Sequence, residues 1–206
     1  MFARTTTFQA RPEMVEAGII YVRDAVIPMV ERIRGCVGQS MLVDRERGRC
    51  IVTAAWQSFR LMDANTQRVQ PMRDQGSEIL GAALQQEEWE IAVLHRDHPS
   101  HAGACARVTW MRAEPGRLDE VVRMYRTTML PAAEQEPGFC SASLFVDRGR
   151  SRLVSTVTYD SRDALRRTRG TTVPAPRNGS PPPPLQVVDE GEFEVVLAHL
   201  HVPELD

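Results

Sequence analysis

The chain has 206 residues, 25 basic against 27 acidic side chains and a formal net charge of -2, so it offers no basic field to nucleic acid or an anionic membrane. No run approaches the roughly 18 to 20 apolar residues of a membrane span. The opening Met1-Phe2-Ala3-Arg4-Thr5 lacks a secretory signal, which makes a cytoplasmic protein the expectation.

The first element is a short β-compatible run, Ala3 to Gln9. Pro12 follows at a first helical turn, where its missing N–H is no loss. Val15, Ile19, Val22, Val26, Val30 and Ile33 then recur every three or four residues, the stripe of an amphipathic helix. Pro28 lies well inside that helix and should kink or break it, and Gly35 ends it. Two strands come next, Val37 to Val43 and Arg49 to Trp56, joined by the turn Asp44-Arg45-Glu46-Arg47-Gly48. Ser58 is placed to cap a second helix, a further helical pattern runs from Met72 to Leu84, and Glu88-Trp89-Glu90-Ile91 supplies a fourth strand.

The whole pattern then recurs. Residues 3 to 65 align without a gap onto 106 to 168 at an offset of 103, with 17 of 63 positions identical. The identities Arg4/Arg107, Pro12/Pro115, Pro28/Pro131, Gly35/Gly138, Asp44/Asp147 and Ser58/Ser161 punctuate successive elements rather than cluster in one. Glu192-Phe193-Glu194-Val195 repeats the fourth strand at an offset of 104, with His199 falling on His95. The expected organisation is a first repeat over 1–96, a linker over 97–104 and a second repeat over 105–206. The second copy replaces the later helix by residues 170–186, whose Pro174, Pro176 and Pro181 to Pro184 read as an exposed loop.

Each half therefore reads as strand, helix, strand, strand, helix, strand. This order, the Pro12-led helix, Gly35, the Asp44 hairpin and the Ala55-Trp56-Gln57-Ser58 passage into helix two resemble the antibiotic-biosynthesis-monooxygenase-like (ABM) branch of the dimeric α/β-barrel superfamily. The resemblance covers nearly the whole chain. It implies an α+β fold of two tandem ferredoxin-like βαββαβ units, with antiparallel sheets that form an intramolecular version of the dimeric barrel. It further implies an internal pseudo-dimer, with further oligomerisation left open, and a cofactor-independent monooxygenase acting on a small phenolic or quinone compound. The alternative is a non-catalytic barrel that binds a small molecule or is purely structural, because a fold does not carry an activity. Haem degradation ranks lower: the places where haem-degrading relatives hold their asparagine, tryptophan and histidine carry Thr7, Asn65 and Asp74 in the first half and Trp110, Thr168 and Arg177 in the second.

Alternation on strand one sorts Arg4, Thr6 and Phe8 onto one face and Thr5, Thr7 and Gln9 onto the other. With strand four beside strand one, Arg4 can approach Glu88 or Glu90, and Arg107 can approach Glu192 or Glu194. A duplicated structural ion pair is the expectation there, ahead of an anion clamp, and breaking it should cost about 3 to 5 kcal/mol if it is buried. Relatives keep their ligand pocket on the face toward the helices, which by this reading gathers Thr7, Gln9, Trp56 and Trp89, with Asn65 and Met72 at its mouth. His95 is the candidate general base, its ordinary pKa near 6.5 suiting proton abstraction from a phenol, against the plainer reading of a hydrogen-bonded structural histidine.

No cofactor, metal, nucleic-acid or membrane partner is expected. Cys36, Cys50, Cys105 and Cys140 form no CxxC pair and do not occupy matched repeat positions, so they read as reduced small hydrophobes. His95, His98 and His101 recur every three residues, but in a linker that spacing fixes no geometry.

Overall fold

A computed structural model describes residues 1–168 and 183–200. The first repeat runs β1 (Phe2–Gln9), a 3-10 turn (Pro12–Met14), α1 (Val15–Tyr21), a π-helical turn (Val22–Val26), α2 (Ile27–Glu31), β2 (Cys36–Asp44), β3 (Arg49–Trp56), α3 (Phe59–Ala64), α4 (Thr66–Leu80) and β4 (Leu84–Arg96). The second runs β5 (Cys105–Ala113), α5 (Leu118–Met124), a π turn (Tyr125–Met129), α6 (Leu130–Glu134), β6 (Phe139–Asp147), β7 (Arg152–Tyr159), α7 (Arg162–Arg167) and β8 (Leu185–Leu200). The strands hydrogen-bond in the order β1-β3-β2-β8-β5-β7-β6-β4, which closes as a barrel. The fold is α+β, two tandem ferredoxin-like units, as the repeat implies. No described helix is long and apolar enough to cross a membrane.

Two compact units divide the described residues: 1–90 with 193–200, and 91–168 with 183–192. β4 and β8 are long enough to contribute to both. In the first unit Leu84–Glu90 pairs with β1, and Glu194–Leu200 pairs with β2. Phe8, Val15, Ile19, Met41, Val43 and Leu80 form its core between sheet and helices, and Trp56, Met62 and Val69 extend it. In the second unit Met111, Val121, Tyr125, Leu144, Leu153 and Leu165 do the same.

The inner prolines act through the π turns. A proline cannot donate to the carbonyl four residues back. Immediately before Pro28, the Ile27 N–H reaches back five residues to the Val22 carbonyl, and before Pro131 the Leu130 N–H reaches the Tyr125 carbonyl. The helix thus widens by one residue instead of breaking. Pro115 does not start its helix; it lies in a turn three residues before Leu118. The later helix of the first half ends at Gly81, whose φ of 59° only glycine adopts freely, so Ala83 lies beyond it and Leu84 begins β4 rather than closing the helix. Ser58 and Ser161 cap α3 and α7, accepting from the Leu61 and Ala164 N–H groups. The expected proline-rich loop lies mostly outside the described residues, except that Leu185 and Gln186 already belong to β8.

Candidate functional site

In the first unit a cavity of about 70 Å³ lies between the sheet and the helices. β1 contributes Arg4, Thr6 and Phe8, and β3 contributes Val52, Ala54 and Trp56; Val22 and Val26 come from the π turn, and Met72, Arg73 and Gly76 from α4. Alternation along β1 is as expected, but the faces are exchanged: the helix side carries Arg4, Thr6 and Phe8. The physical reason is size, since Phe8 joins Val15, Ile19 and Leu80 in the apolar layer. The helices approach closely because Gly18 has no side chain. A Cβ there would stand 2.4 Å from Leu80 Cδ2.

The walls are largely apolar, with a cationic end. Arg4, only 5% exposed, donates from Nε and Nη2 to Glu88 Oε1 at 3.1 and 2.5 Å, and also to Thr66 Oγ1 at 2.9 Å. Arg73 donates to the Thr66 carbonyl at 3.2 Å. Burial, and then the neighbouring Arg4 cation, lower the Arg73 pKa, while Asp74 and Glu88 oppose the shift. Two guanidinium groups thus stand together at this end, with Glu88 and Asp74 as the neighbouring carboxylates. Gln39 is buried and donates to the Ile27 carbonyl at 3.1 Å; Tyr21 donates to the Met72 carbonyl at 3.0 Å, its hydroxyl pKa raised by burial. The indole N–H of Trp56 is buried without a hydrogen-bond partner. A buried orphan donor in a cavity wall is a group that a ligand oxygen can satisfy.

The second unit has a counterpart of about 100 Å³ at matching repeat positions: Arg107 for Arg4, Tyr125 for Val22, Met129 for Val26, Ser155 for Val52 and Tyr159 for Trp56. Its furnishing is more polar. Tyr125 lies within 3.1 Å of Ser155 Oγ and donates toward the Ser143 carbonyl at 3.3 Å, and burial pushes its pKa up to about 12. Arg107 donates to the Thr168 and Leu165 carbonyls and to Glu192, leaving its Nε unsatisfied.

Of the residues expected to hold a ligand, Trp56 and Met72 line the first cavity. Thr7, Gln9, Asn65 and Trp89 lie outside that cavity. Thr7 is on the other face of β1, and exposed Gln9 donates to the Arg47 carbonyl. Asn65 donates to the Leu61 carbonyl at 2.8 Å, closing α3, while buried Trp89 donates to Thr5 Oγ1 at 3.0 Å. His95, the expected base, belongs to the second unit, where it meets Glu134 at 2.9 Å and stacks on Phe139 at 6.1 Å. His199 stands 3.6 Å from Glu31, the repeat position of Glu134, so the histidine–glutamate pair is duplicated.

The arginine pairs form with one set of the expected partners. Arg4 takes Glu88, and Arg107 takes Glu192 together with Glu190 at 3.7 Å. Glu90 stands opposite Phe2 in the β1–β4 register, and Glu194 takes Arg45 at 2.7 Å. Gln39, Tyr21 and Arg73 were missed by sequence reasoning. For Gln39 a signal existed: it departs from its repeat partner, Ala142, at an otherwise apolar position.

No family model matches the chain. Two Mycobacterium tuberculosis proteins are similar along all of it: uncharacterized protein Rv2558, 47% identical with 87% of its length covered, and uncharacterized protein Rv2557, 45% identical with 92% covered. Among solved structures, a provisionally named monooxygenase of Lactobacillus acidophilus superposes with a TM-score of 0.68 at 11% identity, covering 100% of this chain and 99% of that one. A second, from Fusobacterium nucleatum, gives 0.69 at 12% identity over 99% and 96%. An anthrone oxidase-like protein gives 0.63 at 13% identity over 99% and 94%. At such identities what is shared is the fold. The chain belongs to the family of Rv2558 and Rv2557, and it shares its ferredoxin-type barrel fold with these monooxygenase-named structures.

Proposed function

We propose that the first unit binds a small planar aromatic compound carrying an acidic oxygen, a phenol or its quinone, and turns it over as a cofactor-independent monooxygenase. The observation that carries this reading is the cavity itself: apolar walls, the Arg4 and Arg73 cations at one end, and the unpartnered Trp56 N–H. A ring packs against Val22, Val26 and Met41, and its oxygen takes the donors. The Arg4 and Arg73 cations favour the phenolate over the phenol, so the proton leaves to solvent without a dedicated base. The electron-rich anion then reacts with dioxygen. For an anthrone, one oxygen atom remains as the new ring carbonyl and the other leaves as water, the substrate supplying both electrons. The likeness to an anthrone oxidase-like protein supports the choice of substrate class.

Oxygen uptake by the purified protein with anthrone as probe tests the reaction. Consumption that falls at least tenfold in Arg73→Leu supports it; uptake no faster than in buffer removes it. Among the described residues the cavity lining holds no carboxylate or imidazole. That favours, as a second reading, binding without turnover, which saturable binding with no oxygen uptake would establish.

A further inference from the structure

A second cluster lies in the other unit, away from the residues of that cavity. Three side-chain atoms converge on one oxygen, Asp160 Oδ1: His98 Nε2 at 3.0 Å, His101 Nε2 at 3.0 Å and Cys140 Sγ at 3.2 Å. The ligand atoms of His98, Cys140 and Asp160 all lie within 4.8 Å of one another. From these side chains we infer a site for a zinc-class divalent metal, bound by His98, His101, Cys140 and Asp160.

Tetrahedral zinc binds sulfur and nitrogen at about 2.3 and 2.0 Å, which separates neighbouring ligand atoms by roughly 3.3 to 3.7 Å. The spacings to Asp160 Oδ1, 3.0 to 3.2 Å, lie within a few tenths of an ångström of that, while His101, outside the set of three whose ligand atoms lie within 4.8 Å of one another, has to turn inward to complete the four. Thiolate with two imidazoles and a carboxylate is a borderline-soft donor set, suited to zinc or cobalt rather than to magnesium or calcium.

The surroundings of both imidazoles point the same way. The Nδ1 of His98 stands 2.9 Å from Asp97 Oδ2, and that of His101 stands 2.9 Å from the Ala102 carbonyl. A carboxylate or backbone carbonyl on one nitrogen is the device that turns the other toward a metal. Both rings therefore offer Nε2 to the same point. The segment expected to be a linker without fixed geometry is in fact tied down, since the Asp97 and His98 N–H groups both donate to the Cys140 carbonyl, at 2.9 and 3.3 Å.

Duplication did not supply this cluster. The repeat partners of Cys140 and Asp160 are Val37 and Gln57, and the stretch holding His98 and His101 lies outside the aligned repeats. With four protein ligands the site is closed, which is the structural rather than the catalytic pattern. The metal fastens residues 97–104 to the start of β6 and the end of β7.

Cobalt titration of chelator-treated full-length protein tests the site. The expected result is one Co2+ per chain, with a thiolate-to-cobalt charge-transfer band and tetrahedral d–d absorption, both lost on adding zinc. Zinc should also raise the thermal midpoint. Cys140→Ser should abolish the charge-transfer band, and His101→Ala, a change at an exposed residue that leaves the core intact, should weaken cobalt at least tenfold. No band in the wild-type protein at stoichiometric cobalt would overturn the inference, as would a band undiminished in Cys140→Ser or an affinity unchanged in His101→Ala.

Discussion

Arg4 and Arg107 occupy the same repeat position and differ in what their loss would expose. Arg4 faces Glu88, which is 38% exposed, so solvent relieves part of the charge left behind. Arg4→Ala should therefore cost about 2 kcal/mol in urea unfolding, below the figure for a fully buried pair. Arg107 is 3% exposed and satisfies the Leu165 and Thr168 carbonyls as well as carboxylates. Arg107→Ala should cost more, about 3 to 4 kcal/mol; equal losses would contradict the assignment of partners. Tyr125 gives a pH test at the same scale. Its folded pKa of about 12 exceeds the ordinary 10, so the folded state holds the proton that the unfolded state releases. Stability tied to it is complete below pH 10 and should fall by about 2 to 3 kcal/mol as pH rises from 10 to 12. Tyr125→Phe should flatten that loss in urea midpoints measured at pH 9 and 11.

Among the elements, the π turns are the most consequential. Each lies just before a proline, and each places its first and last residues against a cavity: Val22 and Val26 in one unit, Tyr125 and Met129 in the other. Pro28→Ala restores a backbone donor and removes the reason for the widened turn. Binding of anthrone should then weaken at least tenfold while the thermal midpoint holds or rises; unchanged affinity would mean that the turn does not shape the cavity. The disturbance at Pro28 and Pro131 was legible in the sequence, but its form was not. Proline excludes one hydrogen bond without saying whether the helix kinks, breaks or widens. The hairpins and serine caps were legible because their chemistry is local. The face of β1 was not, because Arg4, Thr6, Phe8 and Thr5, Thr7, Gln9 are similarly polar sets, and only the packing of Phe8 against Val15 and Ile19 decides between them. The surroundings of His95 were not legible for a related reason, since its partner, Glu134, is 39 positions away in sequence and joins it only through tertiary packing.

For the whole chain, the repeat gave the element order, and the long strands rearranged the units. Residues 193–200 complete the first unit, although they come from the second repeat. A fragment ending at residue 96 therefore leaves Gly38–Val43 of β2 without β8 on one edge, while β3 still covers the other. An open sheet edge recruits other chains. The fragment should self-associate in sedimentation, and a soluble monomeric fragment would contradict the strand assignment.

The central claim is that the cavity of the first unit receives an aromatic ligand, and intrinsic fluorescence reaches it directly because Trp56 is one of three tryptophans and forms part of the wall. Titration with anthrone of the wild-type protein and of Ala54→Leu, which fills the cavity from β3, is the decisive measurement. Saturable quenching in the wild type that weakens at least tenfold in Ala54→Leu is the predicted result. Absence of quenching, or equal affinity in the two proteins, would contradict the account.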